Sequence, residues 1–393
     1  MGIKTPAYFM IWCSFLIHYG ISGLQISKQE ELQWNKEFEL LKKPSVKTIK
    51  TKYGAIYNCV YFYKQPAFDH PLLKNHSSHP QIRPSFNPEW LEARSNFTTG
   101  GSMMLEDGGC PFGTVPIRRL NKHEFFQIKQ FTKDYASRSR SNPNFIEDQP
   151  GTHRSIVQTN SDIREVDYHG VRCEFNVYAP NVTQSQYTMG EMIIQSFEDQ
   201  IQVGWIVNPG LNKDNLPHLF QYINAGQSHC FNTLCPGFVS TNPRYPIDIA
   251  YVGGASVRGG QQRTMQTSVY QDPKTGNWWL EVQDGVFSYV IVGYWPKEIF
   301  TGLGDSASYI AVGGEAYSPP DQPLAPMGNG YFPIQDASKT AYCTDFAVLD
   351  GNHKKINPSQ TETLTYDSSY GVSDVQNYAH LGRTVFFGGP TRD

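Results

Sequence analysis

The sequence predicts an all-β protein, an antiparallel sandwich or barrel preceded by a small N-terminal unit with one helix. Three observations carry that expectation. Glycine (34) and proline (26) are frequent and sit among 23 tyrosines and 23 phenylalanines, so aromatic runs are cut again and again by turn residues. After Thr152 the chain becomes a succession of strand-length pieces with turn signals between them. No helical period separates those pieces, which is the pattern of an antiparallel sandwich or barrel rather than of a parallel sheet. At 393 residues there is material for two domains and a sizeable core.

Taken in order, the chain opens on a targeting signal. Lys4 supplies a positive start, Ala7 to Ile17 is an apolar run of 11 residues, and small residues follow at Gly20, Ser22 and Gly23. Such a run is short of the ~20 residues a membrane span requires and fits a cleaved signal peptide, with no membrane anchor remaining afterwards. Ser27 and Glu30 then have capping-box spacing, Trp34, Phe38 and Leu41 share one helical face, and Pro44 closes the segment. This is the only long helix the pattern supports. Short aromatic and β-branched pieces follow, Ala55-Ile56-Tyr57 and Val60 to Tyr63 among them.

From about Asp134 to Thr152 the chain is polar and rich in Ser, Arg, Asn and Pro, with little to bury, and reads as a linker open to proteases. The chain thus divides into a signal peptide (1–23), an N-terminal unit (24–133), a linker (134–152) and a β domain (153–393). Strands are expected at Gly170–Tyr178, Gln200–Val207, Ile247–Val252, Thr267–Tyr270, Trp278–Val282, Tyr289–Tyr294 and Tyr309–Val312. The run from Asp272 to Asn277 supplies a turn.

Removal of the signal takes Cys13 and leaves six cysteines, an even number that suggests disulfides in a secreted chain, although six cysteines allow 15 pairings. Cys230 and Cys235 are close enough for a local bond. Cys59 with Cys110 would staple the N-terminal part, and Cys173 and Cys343 then remain for each other. Sequons at Asn75, Asn96 and Asn181 are glycosylation candidates that agree with a secreted location, whether extracellular, cell-wall or vacuolar. A net charge of −3 gives no field to attract nucleic acid or an anionic membrane, and Ser137 to Ser141 (SRSRS) is too short a basic run to change that. The histidines show no metal-ligand spacing, no P-loop or dinucleotide fingerprint is present, and no cofactor or metal is expected. Gly304-Asp305-Ser306 matches too little of an esterase motif to carry weight.

What remains is an ordered set of unusual blocks: Gly204 to Pro209 (GWIVNP), Cys230 to Phe238 (CFNTLCPGF), Gly276 to Leu280 (GNWWL), Gly293 to Pro296 (GYWP), Gly313-Gly314-Glu315 and Met327 to Gly330 (MGNG). Together they resemble the hallmark blocks of the plant neprosin-type glutamic peptidases. Lys64 to His76 and Gly109 to Arg119 resemble that family's activation-peptide domain. The resemblance implies a two-sheet antiparallel β-sandwich with a substrate cleft across its concave face, secretion as a zymogen, and an endopeptidase that prefers proline and works in acid. It also implies that the N-terminal unit is an intramolecular inhibitor and that the partner of the site is a peptide or protein substrate.

The same resemblance points to a catalytic pair. Its second glutamate matches Glu315; its first matches Gln202, just before Gly204-Trp205, where the family pattern has glutamate. Hydrolysis without a metal or covalent nucleophile requires a carboxylate to take a proton from water and a donor to stabilise the oxyanion. Glu315 is therefore expected as the base and Gln202, through its amide, as the group that positions water or the oxyanion. Glu191 is the alternative if the alignment shifts, and Glu281 and Asp284 are further carboxylates. Trp205, Trp278, Trp279, Trp295 and Tyr294 are candidates for binding substrate rings, against core packing as the competing role. Because Gln202 cannot ionise, a catalytically degenerate sandwich that binds peptide or glycan is the second reading. A structural wall protein without a ligand is the third.

Overall fold

The computed structural model describes residues 26–91, 103–139, 150–160, 166–226, 228–283 and 289–392. The expected signal peptide, the Asn96 sequon, Asp284 and residues 140–149 of the expected linker lie outside them.

The N-terminal unit begins with helix α1 (Lys28–Leu41). Its capping box is present: Glu30 N donates to Ser27 Oγ at 3.2 Å, and Ser27 N donates to Glu30 Oε2 at 3.0 Å. A three-stranded antiparallel sheet follows, ordered β1 (Ser45–Lys50), β2 (Ile56–Tyr61), β3 (Thr114–Arg118). The Cys59–Cys110 disulfide ties the middle strand to the chain that leads into β3.

A second helix, α2 (Lys122–Ser139), corrects two expectations: α1 is not the only long helix, and residues 134–139 are helix rather than linker. Composition hid it, since its last turns are polar. Its start is nevertheless written in the sequence as Asn121-Lys122-His123-Glu124, for Glu124 N donates to Asn121 Oδ1 and Asn121 N donates to Glu124 Oε2, both at 2.9 Å. Phe125, Ile128 and Tyr135 are buried on one side of it. The two helices lean together through Trp34 on Phe126 and Phe38 on Phe125, each with ring centroids 5.5 Å apart.

The rest of the chain forms two antiparallel sheets. In chain order the strands are β4 (Thr152–Thr159), β5 (Gly170–Asn176), β6 (Tyr187–Ser196), β7 (Asp199–Val207), β8 (His218–Ala225), β9 (Ser228–Phe231), β10 (Val239–Ser240), β11 (Thr264–Gln271), β12 (Trp278–Gln283), β13 (Val290–Trp295), β14 (Tyr309–Tyr317), β15 (Ala341–Leu349), β16 (Lys355–Ile356), β17 (Thr361–Thr365), β18 (Gly371–Val375) and β19 (Thr384–Gly388). One sheet has seven strands, ordered β17-β4-β14-β6-β7-β8-β9. The other has nine, ordered β10-β13-β12-β11-β5-β15-β19-β18, with β16 beside β15. Side chains from the inner faces, among them Phe175, Val203, Trp205, Trp278, Trp295 and Phe387, make one continuous apolar core. This is the predicted two-sheet sandwich.

The three disulfides of the described residues join Cys59 to Cys110, Cys173 to Cys343 and Cys230 to Cys235. The turn from Asp272 to Asn277 connects β11 and β12, with Asp272 Oδ1 accepting from the N–H groups of Lys274 and Thr275. Ile247–Val252 is not a strand. Pro246 precedes it, and Ala250 makes only an isolated bridge to His218. Asn75 and Asn181 are exposed. Among the described residues no helix is long and apolar enough to cross a membrane.

The N-terminal unit lies against both outer faces of the sandwich. Val60, Phe62, Trp90 and Val115 pack on Tyr270, Trp279 and Tyr294 of the nine-stranded sheet. Ile128 and Tyr135 of α2 pack on Tyr187, Phe220, Tyr222 and Phe231 of the seven-stranded sheet. Because the Asn121 cap fixes where α2 starts, Asn121→Ala is expected to cost about 1 kcal/mol of local helix stability. Amide hydrogen exchange should quicken about fivefold along α2 and stay unchanged in β6 and β14.

Candidate active site

Strand register decides which side chains meet. Glu315 of β14 stands opposite Met189 of β6, and Gln202 of β7 stands opposite Ile193 of β6. Positions 189, 191 and 193 share one face of β6, since side chains alternate with a period of two. Glu315, Glu191 and Gln202 therefore all face outward from the seven-stranded sheet, and all three are fully buried. Trp205, one position out of phase with Gln202, points the other way into the core.

Within that row the spacing is unequal. Glu315 and Gln202 lie two strands and four register positions apart, roughly 16 Å between Cα atoms at ideal strand spacing. Glu191 is between them and is the diagonal neighbour of each, at roughly 8 Å. The sequence expectation paired Glu315 with Gln202; the lattice of the sheet puts Glu191 next to Glu315 instead. Two glycines flank this carboxyl. Gly204 and Gly313 stand directly across from Glu191 on its two sides. A Cβ on Gly204 would lie 2.0 Å from Gly190 O, and one on Gly313, whose φ is +153°, would lie 2.3 Å from Ser155 O. The glycines of the Gly-Trp and Gly-Gly-Glu blocks, where a side chain would strike backbone, thus flank an acid that neither block contains.

The two carboxyls are held differently. Glu315 Oε2 accepts from Arg154 Nε at 2.5 Å, and its Oε1 accepts from the Tyr187 hydroxyl at 2.8 Å. An ion pair and a phenol are the setting of an ionised carboxylate. Both oxygens of Glu191 are buried and have no hydrogen-bond partner. Burial first, and then the negative charge of Glu315, push the Glu191 carboxyl up to about 8, while Arg154 acts in the opposite sense. One acid is kept charged and its neighbour neutral, and environments that separate two carboxyl groups in this way are those that acid–base catalysis requires.

Helix α2 seals the row. The Tyr135 hydroxyl donates to Gln202 Oε1 at 2.5 Å. Its ring centroid lies 4.8 Å from that of Tyr222 and 5.0 Å from that of Phe231. Phe131 meets Tyr187 at 5.6 Å, and the Arg138 guanidinium lies 4.1 Å over the Tyr317 ring. Sequence reasoning missed this element by assigning its end to the linker; the asparagine–glutamate cap at 121 and 124 was the signal that could have found it.

The other predicted residues are elsewhere. Trp278 and Trp295 are in the core between the sheets, with Trp278 Nε1 donating to Leu303 O at 2.7 Å and Trp295 Nε1 to Gln221 Oε1 at 3.2 Å. Trp279 and Tyr294 are on the outer face of the nine-stranded sheet, beneath the N-terminal unit. None of the five predicted ring-binding residues lines the carboxylate row, because β7 turns Trp205 inward and the other four belong to the opposite sheet. Glu281 is on that opposite sheet as well, bonded to the Tyr270 hydroxyl at 2.5 Å and raised to about 7 by burial. A wider cleft of about 630 Å³ lies away from the acids, between α1, α2 and residues 228–236. Among the described residues no group of three or more His, Cys, Asp or Glu side chains is arranged to hold a metal ion.

Comparison with known proteins bears on this geometry. The family model described as Neprosin matches residues 181–390, more than half of the chain, and the one described as Neprosin activation peptide matches residues 48–161. The chain belongs to the neprosin family. All three outward residues of the row fall inside the neprosin match, and α2, which covers them, falls inside the activation-peptide match. Among solved structures the fold is similar to scytalido-glutamic peptidase with a peptide-based transition state analog, at 10% identity and a TM-score of 0.37, over 61% of this chain and 98% of that one. It is also similar to SCP-B, a member of the eqolisin family of peptidases in a complex with the tripeptide Ala-Ile-His, at 10% identity and a TM-score of 0.33, over 61% and 98%. At TM-scores below 0.5 these likenesses add nothing to the family assignment.

The raised Glu191 carboxyl has a consequence for stability. An unfolded glutamate ionises near 4.5, whereas the folded neprosin domain keeps its proton on Glu191 up to about 8. Between those values the native state binds more protons than the unfolded one, so this contribution is whole below about pH 4.5 and is lost as pH rises through about 8. Glu191→Gln removes the titration. Its melting temperature should exceed that of the parent by a few degrees at pH 8 and agree with it within about one degree at pH 4. Equal differences at both pH values would contradict the assignment.

Proposed function

We propose that this neprosin chain is the secreted proenzyme of a glutamic endopeptidase, with Glu191 and Glu315 as its acid–base pair and α2 as its inhibitory element. The observation that carries the proposal is a buried carboxyl with no hydrogen-bond partner, one diagonal step from a second carboxylate that an arginine and a tyrosine hold ionised. Preference for proline at the cut and activity in acid are carried over from the family resemblance. Secretion is supported by the apolar N-terminal run and by three disulfides among the described residues.

The chemistry follows from the two protonation states. With α2 displaced, a water between the acids loses a proton to the Glu315 carboxylate as its oxygen attacks the scissile carbonyl carbon. The protonated Glu191 donates a hydrogen bond to the carbonyl oxygen, keeping its proton, as negative charge develops there. On collapse of the tetrahedral intermediate the C–N bond breaks and the amine leaves with the Glu191 proton. Return of the proton from Glu315 to Glu191 restores the pair. Arg154 and Tyr187 orient Glu315 and keep it charged. Activity should fall at high pH as Glu191 ionises. Water entering the opened cleft relieves the burial of Glu191, which moves the upper limit down and the optimum toward acid.

The proenzyme reading rests on the seal. Tyr135, Phe131 and Arg138 occupy the surface through which substrate would reach the acids, and residues 140–149 join α2 to β4. A cut within that decapeptide, in the stretch expected to be protease-accessible, would let α2 leave. The alternative of a degenerate binding sandwich drew on Gln202; a second carboxyl in the row, Glu191, supports the peptidase reading instead.

Two outcomes are expected. In the chain cut between α2 and β4, Glu315→Gln and Glu191→Gln should each lower kcat/KM on a proline-containing peptide by at least about 10²-fold while circular dichroism is unchanged. Full activity in either variant would refute the pair. In the uncut chain, Phe131→Ala removes a ring wedged on Tyr187 and Phe231, and basal cleavage should rise about tenfold or more as α2 loosens.

A further inference from the structure

We infer that Gln202 is a specificity residue, and that the pocket now filled by Tyr135 is a substrate subsite that selects a tyrosine side chain. The inference rests on the peptidase reading above and assigns Gln202 a role beside the acid pair rather than in it.

The pocket has apolar walls and one polar end. Tyr222, Phe231 and Tyr187 surround the Tyr135 ring at centroid distances of 4.8, 5.0 and 6.1 Å. All three belong to the sandwich and stay behind when α2 leaves. The polar end is Gln202 Oε1, which accepts the phenol proton.

The direction of that bond is built into the sheet. Gln195 Nε2 donates to the backbone carbonyl of Phe197 at 3.1 Å. Gln200 Nε2 donates to Gln195 Oε1 at 3.1 Å, and Gln202 Nε2 donates to Gln200 Oε1 at 2.9 Å. A carbonyl accepts only, so the first amide is fixed, and each amide in turn fixes the next. The three-glutamine chain ends with an oxygen facing the pocket. Reversing it would set an NH₂ group free at the pocket and oppose two oxygens at Phe197.

An enclosed aromatic slot that ends on a fixed acceptor fits a phenol. A phenylalanine fills the walls but leaves Gln202 Oε1 buried and unpaired, and a proline or leucine does the same. Because Gln202 is the diagonal neighbour of Glu191, the side chain in this slot belongs to a residue close to the scissile bond. The inhibitory helix thus blocks the site with the group the subsite is made to hold.

The test uses the full chain cut between α2 and β4, with both fragments present, and peptides holding one proline with each flanking position set in turn to Tyr, Phe or Leu. At one flanking position kcat/KM should favour Tyr over Phe by about tenfold. Gln202→Leu should bring that ratio to about one. Gln202→Glu, which keeps an acceptor, should retain the preference. A ratio near one at every position in the parent, or an unchanged ratio in Gln202→Leu, overturns the inference. Absence of any cleavage by the parent overturns the peptidase reading, and the subsite with it.

A second readout needs no catalysis. In the uncut chain Tyr135→Phe should speed amide exchange along α2 about tenfold in the parent background and leave it unchanged in the Gln202→Leu background. Equal acceleration in both backgrounds would show that the hydroxyl does not act through Gln202, and the subsite assignment would fall.

Discussion

Two carboxyl groups on neighbouring strands, turned to the same side and cut off from water, cannot both carry charge. The arrangement of the outer face follows from that constraint. Arg154 and Tyr187 settle the charge on Glu315, and Glu191, left with no hydrogen-bond partner, keeps its proton. Gly204 and Gly313 flank Glu191 because any side chain there would strike backbone. The sheet itself sets the distance, since the β6–β7 and β6–β14 registers bring the acids to one diagonal step.

The N-terminal unit is the second half of this arrangement. Without α2 the row would be hydrated and Glu191 would titrate more nearly as an ordinary glutamate. With α2 in place an aromatic cluster of Phe131, Tyr135, Tyr187, Tyr222 and Phe231 closes over them. The same unit packs on the far side of the sandwich through Trp90 and Phe62, so it straddles the β domain and is held at two faces. A helix anchored in this way can block a site firmly and still be freed by a change in the connection between Ser139 and Thr152.

Much of the architecture was legible in the sequence because it is local. The Ser27–Glu30 box, the Asp272–Asn277 turn, the aromatic strands and the Cys230–Cys235 bond follow from short-range chemistry, whereas the Cys173–Cys343 bond, which spans 170 residues, was reached by elimination. What escaped was register. A motif shows that Gln202 precedes Gly204-Trp205, but only strand pairing shows that Glu191, thirteen positions before Gly204, stands directly across from it. Alternation likewise turned Trp205 inward, and sheet order sent Trp278, Trp279, Tyr294 and Trp295 to the opposite sheet. The end of α2 was misread because its polar residues were weighed by composition, whereas the Asn121–Glu124 cap and the buried spacing of Phe125, Ile128 and Tyr135 are a helical pattern.

The account turns on Glu191 and Glu315 sensing each other's charge beneath α2. Infrared difference spectroscopy of the uncut chain, following the C=O stretch of a protonated carboxyl across pH, measures this directly. Beyond the Glu281 band, which is lost near pH 7, a buried carboxylic-acid component should persist to about pH 8, be absent in Glu191→Gln, and titrate at distinctly lower pH in Glu315→Gln, where the neighbouring charge is gone. A band that disappears near pH 4.5 in the parent, or one that Glu315→Gln leaves unmoved, would contradict it.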